Sequence, residues 1–499
     1  MRGAWMRELA GWVGALAVAV ILTGQVAASD RAELLFRDGD SLIVALSARS
    51  LLSGEPLGWA MSSVLFLPET ALFTALDLLL PFDVNGILAM NAVINLVAFY
   101  GAVRLVAGRR RSGTAPVAWS LAALVAFSAV AATETSASRD ALELASLTST
   151  TTYYSATVIA VVLSVGLVRR ALDDPRGGAW RLVILAAVAA VSTLSNPLYA
   201  VWATVPLTVV LLLATVRSAE KRRMLTLLGI LLSGTVVGFI VRIPFEAWIA
   251  NAGTGYARPE LWRESLAYYS QLFGDRLATP LGTLGVLLSL ALLAWAVVRT
   301  VRAEHSGSRL VASIAWVMPA VVVIGAIALG THAARYLQPA AFAPVLALVA
   351  CPRAVPLPRR VARASVGVLA ALAVIGTALS VPRVAGAATA ADQDLTCVTN
   401  WVDASGRTGA GQFWTVRLPK LHLDDPARLV QVDHQLRGYA WLVNRHDFAV
   451  GEVSFLVEDA QTVPWQLPRP AVPEEIVDCG RYRILDFGAV TLPIGPQRS

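Results

Sequence analysis

The chain has 499 residues, 56% of them hydrophobic and only 15% charged, with a net charge of +7. A soluble protein of this length carries about a quarter charged residues. An apolar excess alone does not make a membrane protein; the long uninterrupted apolar runs do, and they exclude an ordinary soluble enzyme. The basic excess does not indicate nucleic acid: lysines and arginines fall in short clusters between apolar runs, as the positive-inside rule expects.

Taken in chain order, apolar segments near the roughly 20 residues needed to cross a bilayer lie at about 9–28, 86–107, 115–133, 152–168, 181–195, 199–216, 224–243, 280–298, 310–330, 337–350 and 364–382. Basic clusters at Arg109–Arg111, Arg169 and Arg170, Lys221–Arg223, Arg299 to Arg309 and Arg353 to Arg363 alternate with longer acidic loops. This pattern predicts an all-α polytopic bundle of about eleven spans in the plasma membrane, N-terminus inside and C-terminus outside. The end of the first segment, Val26-Ala27-Ala28-Ser29, resembles a signal-peptidase site; cleavage there leaves the later topology unchanged. The stretch 59–81 is apolar but carries Pro68, Glu69, Asp77 and Pro81. If it crossed, every later basic cluster would invert, so it is expected to lie at the interface within a first outside loop, 29–85.

Composition shifts near residue 386. Residues 1–385 are read as the transmembrane domain and 386–499 as a small α/β extracytoplasmic domain, with strands expected at Gln412–Leu418, Leu429–Val432, Val453–Val457 and Tyr482–Phe487. Cys397 and Cys479 bracket this domain. An oxidising exterior allows them to form a disulfide, and a reducing compartment leaves two thiols.

The residues that can carry chemistry sit in the outside loops. In the first, Asp38 and Asp40 flank Gly39 ahead of an amphipathic stretch, 42–52. A carboxylate there can act as a general base or hold a divalent metal; alternatively Asp40 or Ser41 caps the helix. The second loop offers Asp140 and Glu143, followed by a hydroxyl run, Thr148 to Ser155, that either binds a sugar or anchors at the interface. The turn Thr331 to Pro339 holds His332, Arg335 and Tyr336. An arginine on the outer side departs from the charge rule, and its fork suits a phosphate. Arg242, near the outer end of another span, is a similar cation. For both arginines, snorkelling to headgroups is the competing reading. No Walker loop, GxSxG, CxxC or HExxH occurs.

The order of the first hundred residues resembles the N-terminal module of the GT-C glycosyltransferases, such as protein O-mannosyltransferases and the lipid A aminoarabinose transferase. Asp38 and Asp40 fall at that family's acidic pair, Ser53-Gly54 at the close of its first juxtamembrane helix, and Leu67-Pro68-Glu69 to Leu80 at its second. Arg335-Tyr336-Leu337-Gln338-Pro339 matches a frequent Arg-Tyr-x-x-Pro element, and Asp140 and Glu143 stand where the family places second-loop acids. The chain departs in having Asp-Gly-Asp instead of adjacent carboxylates, so either aspartate fits the role of base.

The resemblance implies inverting transfer of a sugar from a polyprenyl-phosphate carrier to a cell-envelope glycan, lipid or protein, with Arg335, Tyr336, His332 and Arg242 toward the lipid phosphate. A divalent ion, Mg or Mn, where one is used, falls to Asp38 and Asp40. Two other classes compete. A transporter predicts inverted repeats and midplane charges; a non-catalytic scaffold with a binding ectodomain predicts that the loop aspartates are replaceable.

Overall fold

The computed structural model describes residues 2–174, 178–217 and 221–498. Among them, seven helices are long and apolar enough to cross a bilayer: Ala4–Ala27, Val84–Val106, Ser155–Asp173, Lys221–Trp248, Pro280–Arg302, Ser306–Ala328 and Arg359–Ser405. Each coincides with an expected span. The other four expected spans fall on shorter apolar helices, Pro116–Ala131, Trp180–Ser195, Ala200–Val216 and Ala334–Ala350. At a rise of about 1.5 Å per residue these reach about 25 Å, under the roughly 30 Å of a hydrocarbon core. The stretch read as interfacial forms the helix Leu67–Leu79, at about 20 Å too short to cross.

The chain divides into two compact units. The first comprises Met1–Ala32, Ala89–Ile243 and Thr254–Ala387 and is a helical bundle. Apolar side chains gain little by leaving lipid for one another, so close backbone approach matters more. Gly234 and Gly238 supply it on the helix Lys221–Arg242. A Cβ at either position would lie 2.6 Å from a carbonyl oxygen of the helix Trp180–Ser195, that of Ala186 or Ala190. Thr204 and Thr235 hydroxyls join across the same region at 2.8 Å.

The second unit comprises Glu33–Leu88, Pro244–Gly253 and Ala388–Ser499. Its centre is a seven-stranded mixed sheet in the order Gly495–Arg498, Arg437–Tyr439, Leu429–Val432, Gly409–Gln412, Phe455–Glu458, Tyr482–Asp486, Glu475–Cys479. The central strand, Gly409–Gln412, pairs in parallel with both neighbours. Its small residues let the flanking helix Phe413–His422 close on the sheet: a Cβ at Gly411 would collide with Val416 Cγ1. Ala410, Val430, Val432, Leu456 and Phe487 build the core on this sheet.

The other segments knit to the sheet region at backbone level. Trp59–Ala60 pairs with Val443–Asn444, and Arg445 donates to the carbonyls of Trp59 and Ala247 at 3.2 and 2.9 Å. The helix Gln393–Ser405 starts at an Asp392 N-cap, whose carboxylate accepts from the Leu395 N–H at 3.0 Å, and ends at Gly406 in the left-handed region. Cys397 on that helix is disulfide-bonded to Cys479.

One strand expectation is corrected. Gln412–Leu418 is not a strand: the chain leaves the sheet at Gln412 and forms the helix Phe413–His422. Parallel neighbours need a crossover, and this helix connects Gly409–Gln412 to Leu429–Val432. Topology thus overrides the aromatic and β-branched character of Phe413-Trp414-Thr415-Val416.

The bond spans 82 residues of sequence, for which chain entropy gives about 4 kcal/mol. Cys397→Ser with Cys479→Ser should lower the urea midpoint of the C-terminal unit accordingly. Maleimide labelling of the denatured, unreduced protein should modify Cys351 alone; three labelled cysteines would exclude the bond.

Candidate functional sites in the two units

In the second unit, the helix Ala32–Phe36 is followed by a tight turn carrying Asp38-Gly39-Asp40. The Asp38 N–H donates to the Glu33 carbonyl at 2.8 Å, and the Ser41 N–H donates to the Asp38 carbonyl at 2.8 Å and its Oδ1 at 3.3 Å. The next helix, Ile43–Leu52, has Leu42 at its N-cap. Neither Asp40 nor Ser41 caps it, so the carboxylates are not spent on helix initiation.

What holds this turn is Arg417, on the helix Phe413–His422 and 1% exposed. Its Nε donates to the Gly39 carbonyl at 2.6 Å and its Nη1 to the Leu442 carbonyl at 2.5 Å. The ring of Phe413 lies 4.8 Å from the guanidinium. Gln431 braces the neighbouring loop, donating to the carbonyls of Tyr439 and Trp441 at 2.9 and 2.8 Å. Burial pushes Arg417 down to about 10, opposed by the charges of Asp40 and then Asp38. It therefore stays protonated at neutral pH, and the two aspartates are its counter-charges. Gly39 separates them for a steric reason. A Cβ there would sit 3.1 Å from the Trp414 ring and 3.3 Å from Arg417 Cδ, tighter than ordinary van der Waals contact.

In the first unit the second-loop acids separate into different roles. Glu143 is buried between two arginines. Arg276 Nη1 donates to it at 2.5 Å, Arg31 pairs with it at 3.8 Å, and the Ser136 N–H donates to it at 2.7 Å. Arg31 also donates to Ser146 Oγ and to the Ser136 and Glu143 carbonyls, each at 2.9 Å. Glu134 joins them by accepting from the Ala145 and Ser146 N–H groups at 2.9 and 2.7 Å; burial raises its pKa against the pull of Arg31. This network is a brace for the loop.

Asp140 faces outward, half exposed, and pairs with Arg335 at 3.7 Å. Arg335 Nε donates to the Tyr154 hydroxyl at 3.3 Å, and its guanidinium lies 5.9 Å from the Tyr336 ring. The His332 ring lies 5.4 Å from the Tyr268 ring, tilted by 55°. Burial, then the charge of Asp140, raises the Tyr268 hydroxyl pKa, and Arg335 opposes them. Tyr269 anchors the turn through Thr331 Oγ1 at 2.7 Å. Tyr154 holds a left-handed backbone, φ 67°, a strained conformation that tends to persist at functional sites. Asp140, Arg335, Tyr336 and His332 thus form one cluster.

Arg242 has a different partner, the Leu194 carbonyl at 2.7 Å in the last turn of Trp180–Ser195, where a cation offsets the helix dipole. The hydroxyl run is interior: Thr148, Ser149, Thr150, Thr151 and Thr152 are all buried. Tyr154 belongs to the hydroxyl run that the sequence marks, whereas Arg417 and Tyr268 do not stand out in it. The adjacent Tyr268-Tyr269 pair, on the helix Trp262–Leu277, is the signal it offers for Tyr268. Among the described residues no group of three or more His, Cys, Asp and Glu gathers for a metal. No protein-family model matches the chain, and no curated protein matches it in sequence.

Glu143→Gln should destabilise the protein by about 3–5 kcal/mol, because it leaves buried arginines undercompensated. Asp140→Asn should change stability by less than about 0.5 kcal/mol, as exposed pairs do. Thermal melts of purified protein distinguish the two, and equal losses would refute the division.

His422, at the end of the Arg417 helix, is half-buried, and its buried Nε2 finds no partner among the described residues. Burial first, then Arg49, holds its pKa below 6.5. The unfolded chain takes up that proton more readily, so stability is full above about pH 6.5 and declines as pH falls below it. His422→Asn should flatten this decline; an unchanged slope would show that His422 contributes nothing.

Proposed function

We propose that this chain is a GT-C type glycosyltransferase that moves a sugar from a polyprenyl-phosphate carrier to an extracytoplasmic acceptor. The observation that carries the reading is the Asp38-Gly39-Asp40 turn. It is an aspartate pair unused by helix capping, fixed against the fully buried guanidinium of Arg417. Fixing a carboxylate before the substrate arrives is what general-base catalysis requires.

The reading also takes the four shorter apolar helices as spans, giving about eleven crossings, N-terminus inside and C-terminal region outside. The Cys397–Cys479 disulfide supports an oxidising side for that region. No nucleotide sugar is expected there, so a membrane-borne donor fits.

In the reaction the acceptor hydroxyl oxygen attacks the anomeric carbon as the bond to the lipid phosphate breaks. Asp38 or Asp40 takes the hydroxyl proton. The departing phosphate leaves with the bonding electron pair, and inversion follows from attack opposite it. Within the first unit, Arg335, in a cluster with Asp140 and Tyr154, offers a fork that suits phosphate oxygens. Its pairing partner, Asp140, is an exposed and therefore weak competitor.

Membranes supplied with a labelled polyprenyl-phosphate sugar test the proposal. Replacing the base, Asp38→Asn or Asp40→Asn, should lower transfer about 10²–10⁴-fold. Arg335→Gln should lower it as well. Wild-type transfer by the double Asn variant would remove the aspartates from the chemistry.

A further inference from the structure

A second charged feature lies in the first unit and has no part in the proposed transfer. Three stretches of chain converge on one cavity of about 590 Å³: the loop after Val84–Val106, the end of Ser155–Asp173 and the start of Trp180–Ser195. Its lining residues are Arg109, Arg110, Arg111, Arg170, Arg181, Asp173 and Asp174. Among the described residues, five guanidiniums against two carboxylates leave three positive charges in one concavity.

The carboxylates are already engaged. Asp174 takes Arg109 at 3.2 Å and Arg181 at 3.0 Å, and Asp173 takes Arg169 at 3.3 Å, an arginine outside the lining. Arg170 and Arg181 are fixed by backbone carbonyls, Leu105 for the first and Arg170 for the second, both at 3.3 Å. They form a preset floor, while Arg109, Arg110 and Arg111 form an exposed rim. Each guanidinium has five N–H donors, more than the bonds just named use. The N-terminus of the 16-residue helix Trp180–Ser195 adds a favourable dipole. Like charges held this close repel, and an anion bound among them relieves that repulsion.

We infer that this cavity binds an anion bearing two phosphate groups. Two phosphate groups match the surplus of three charges, and planar guanidiniums bind phosphate bidentately. The cavity lies at the ends of helices that can cross a membrane, so the anion is either a two-phosphate lipid headgroup or a free diphosphate. Basic pockets between such helices take lipid headgroups of this kind.

Two probes separate the sources, each applied to the full-length protein. Inorganic pyrophosphate titrated into detergent-purified protein reads free diphosphate. Retention of cardiolipin from mixed nanodiscs, counted by native mass spectrometry, reads the lipid. The test variant is Arg109→Gln with Arg110→Gln and Arg111→Gln, all on the exposed rim. The control, Arg359→Gln with Arg360→Gln and Arg363→Gln, removes equal charge from another cluster. We expect at least tenfold weaker binding of one or both probes in the test variant only. Loss in the pyrophosphate arm alone identifies a free anion, and loss in the cardiolipin arm identifies a lipid. Binding of neither probe by the wild type, or equal loss in the control, overturns the inference. Sugar transfer measured in parallel is independent of either outcome.

Discussion

The burial of one guanidinium organises the second unit. Arg417 is 1% exposed, and an arginine taken from water costs several kcal/mol unless charge and hydrogen bonds compensate. Its compensation comes from far away in sequence: the Gly39 carbonyl, the Leu442 carbonyl and the charges of Asp40 and Asp38. The first loop is therefore tied to the C-terminal sheet by electrostatics as well as by the Trp59–Ala60 strand pairing. One interaction both completes the fold of this unit and orients the carboxylates that the proposed chemistry uses. The same logic explains the glycine: any side chain at position 39 would crowd Trp414 and Arg417.

The first unit shows how burial divides acids that look alike in sequence. Asp140 and Glu143 stand three residues apart in one loop. Glu143 is enclosed with Arg31 and Arg276, where the low dielectric makes every partner costly to remove. Asp140 meets Arg335 at the surface, where the pair is weak and exchangeable. A group that must yield to a substrate belongs in the second situation. Arg242, which matches Arg335 in its sequence setting, is occupied by a helix-end carbonyl.

Much of this was legible in the sequence. Apolar length found the seven long helices, because crossing a hydrocarbon core demands an uncharged run of some 20 residues. Turn chemistry and alternation found the strands Leu429–Val432 and Tyr482–Asp486. The error at Gln412–Leu418 arose because a crossover helix between parallel strands is dictated by topology, which local propensity does not carry. Candidate acids and the 332–336 turn were visible as polar residues where lipid-facing ones were expected. Their partners were not: Arg417 lies 377 positions after Asp40 in the numbering, and Tyr154 and Tyr268 reach the Arg335 turn only through tertiary packing. Nor does spacing reveal which of two neighbouring glutamates and aspartates becomes buried.

The most direct test of this account is a double-mutant cycle on Arg417→Met and Asp40→Asn, read as unfolding free energy. If the buried guanidinium depends on the first-loop carboxylate, the pair should couple by about 1–3 kcal/mol, with the double variant less destabilised than the sum of the singles. Additivity within about 0.5 kcal/mol would mean that Arg417 and the Asp38-Gly39-Asp40 turn are energetically independent, and the organising constraint would fail.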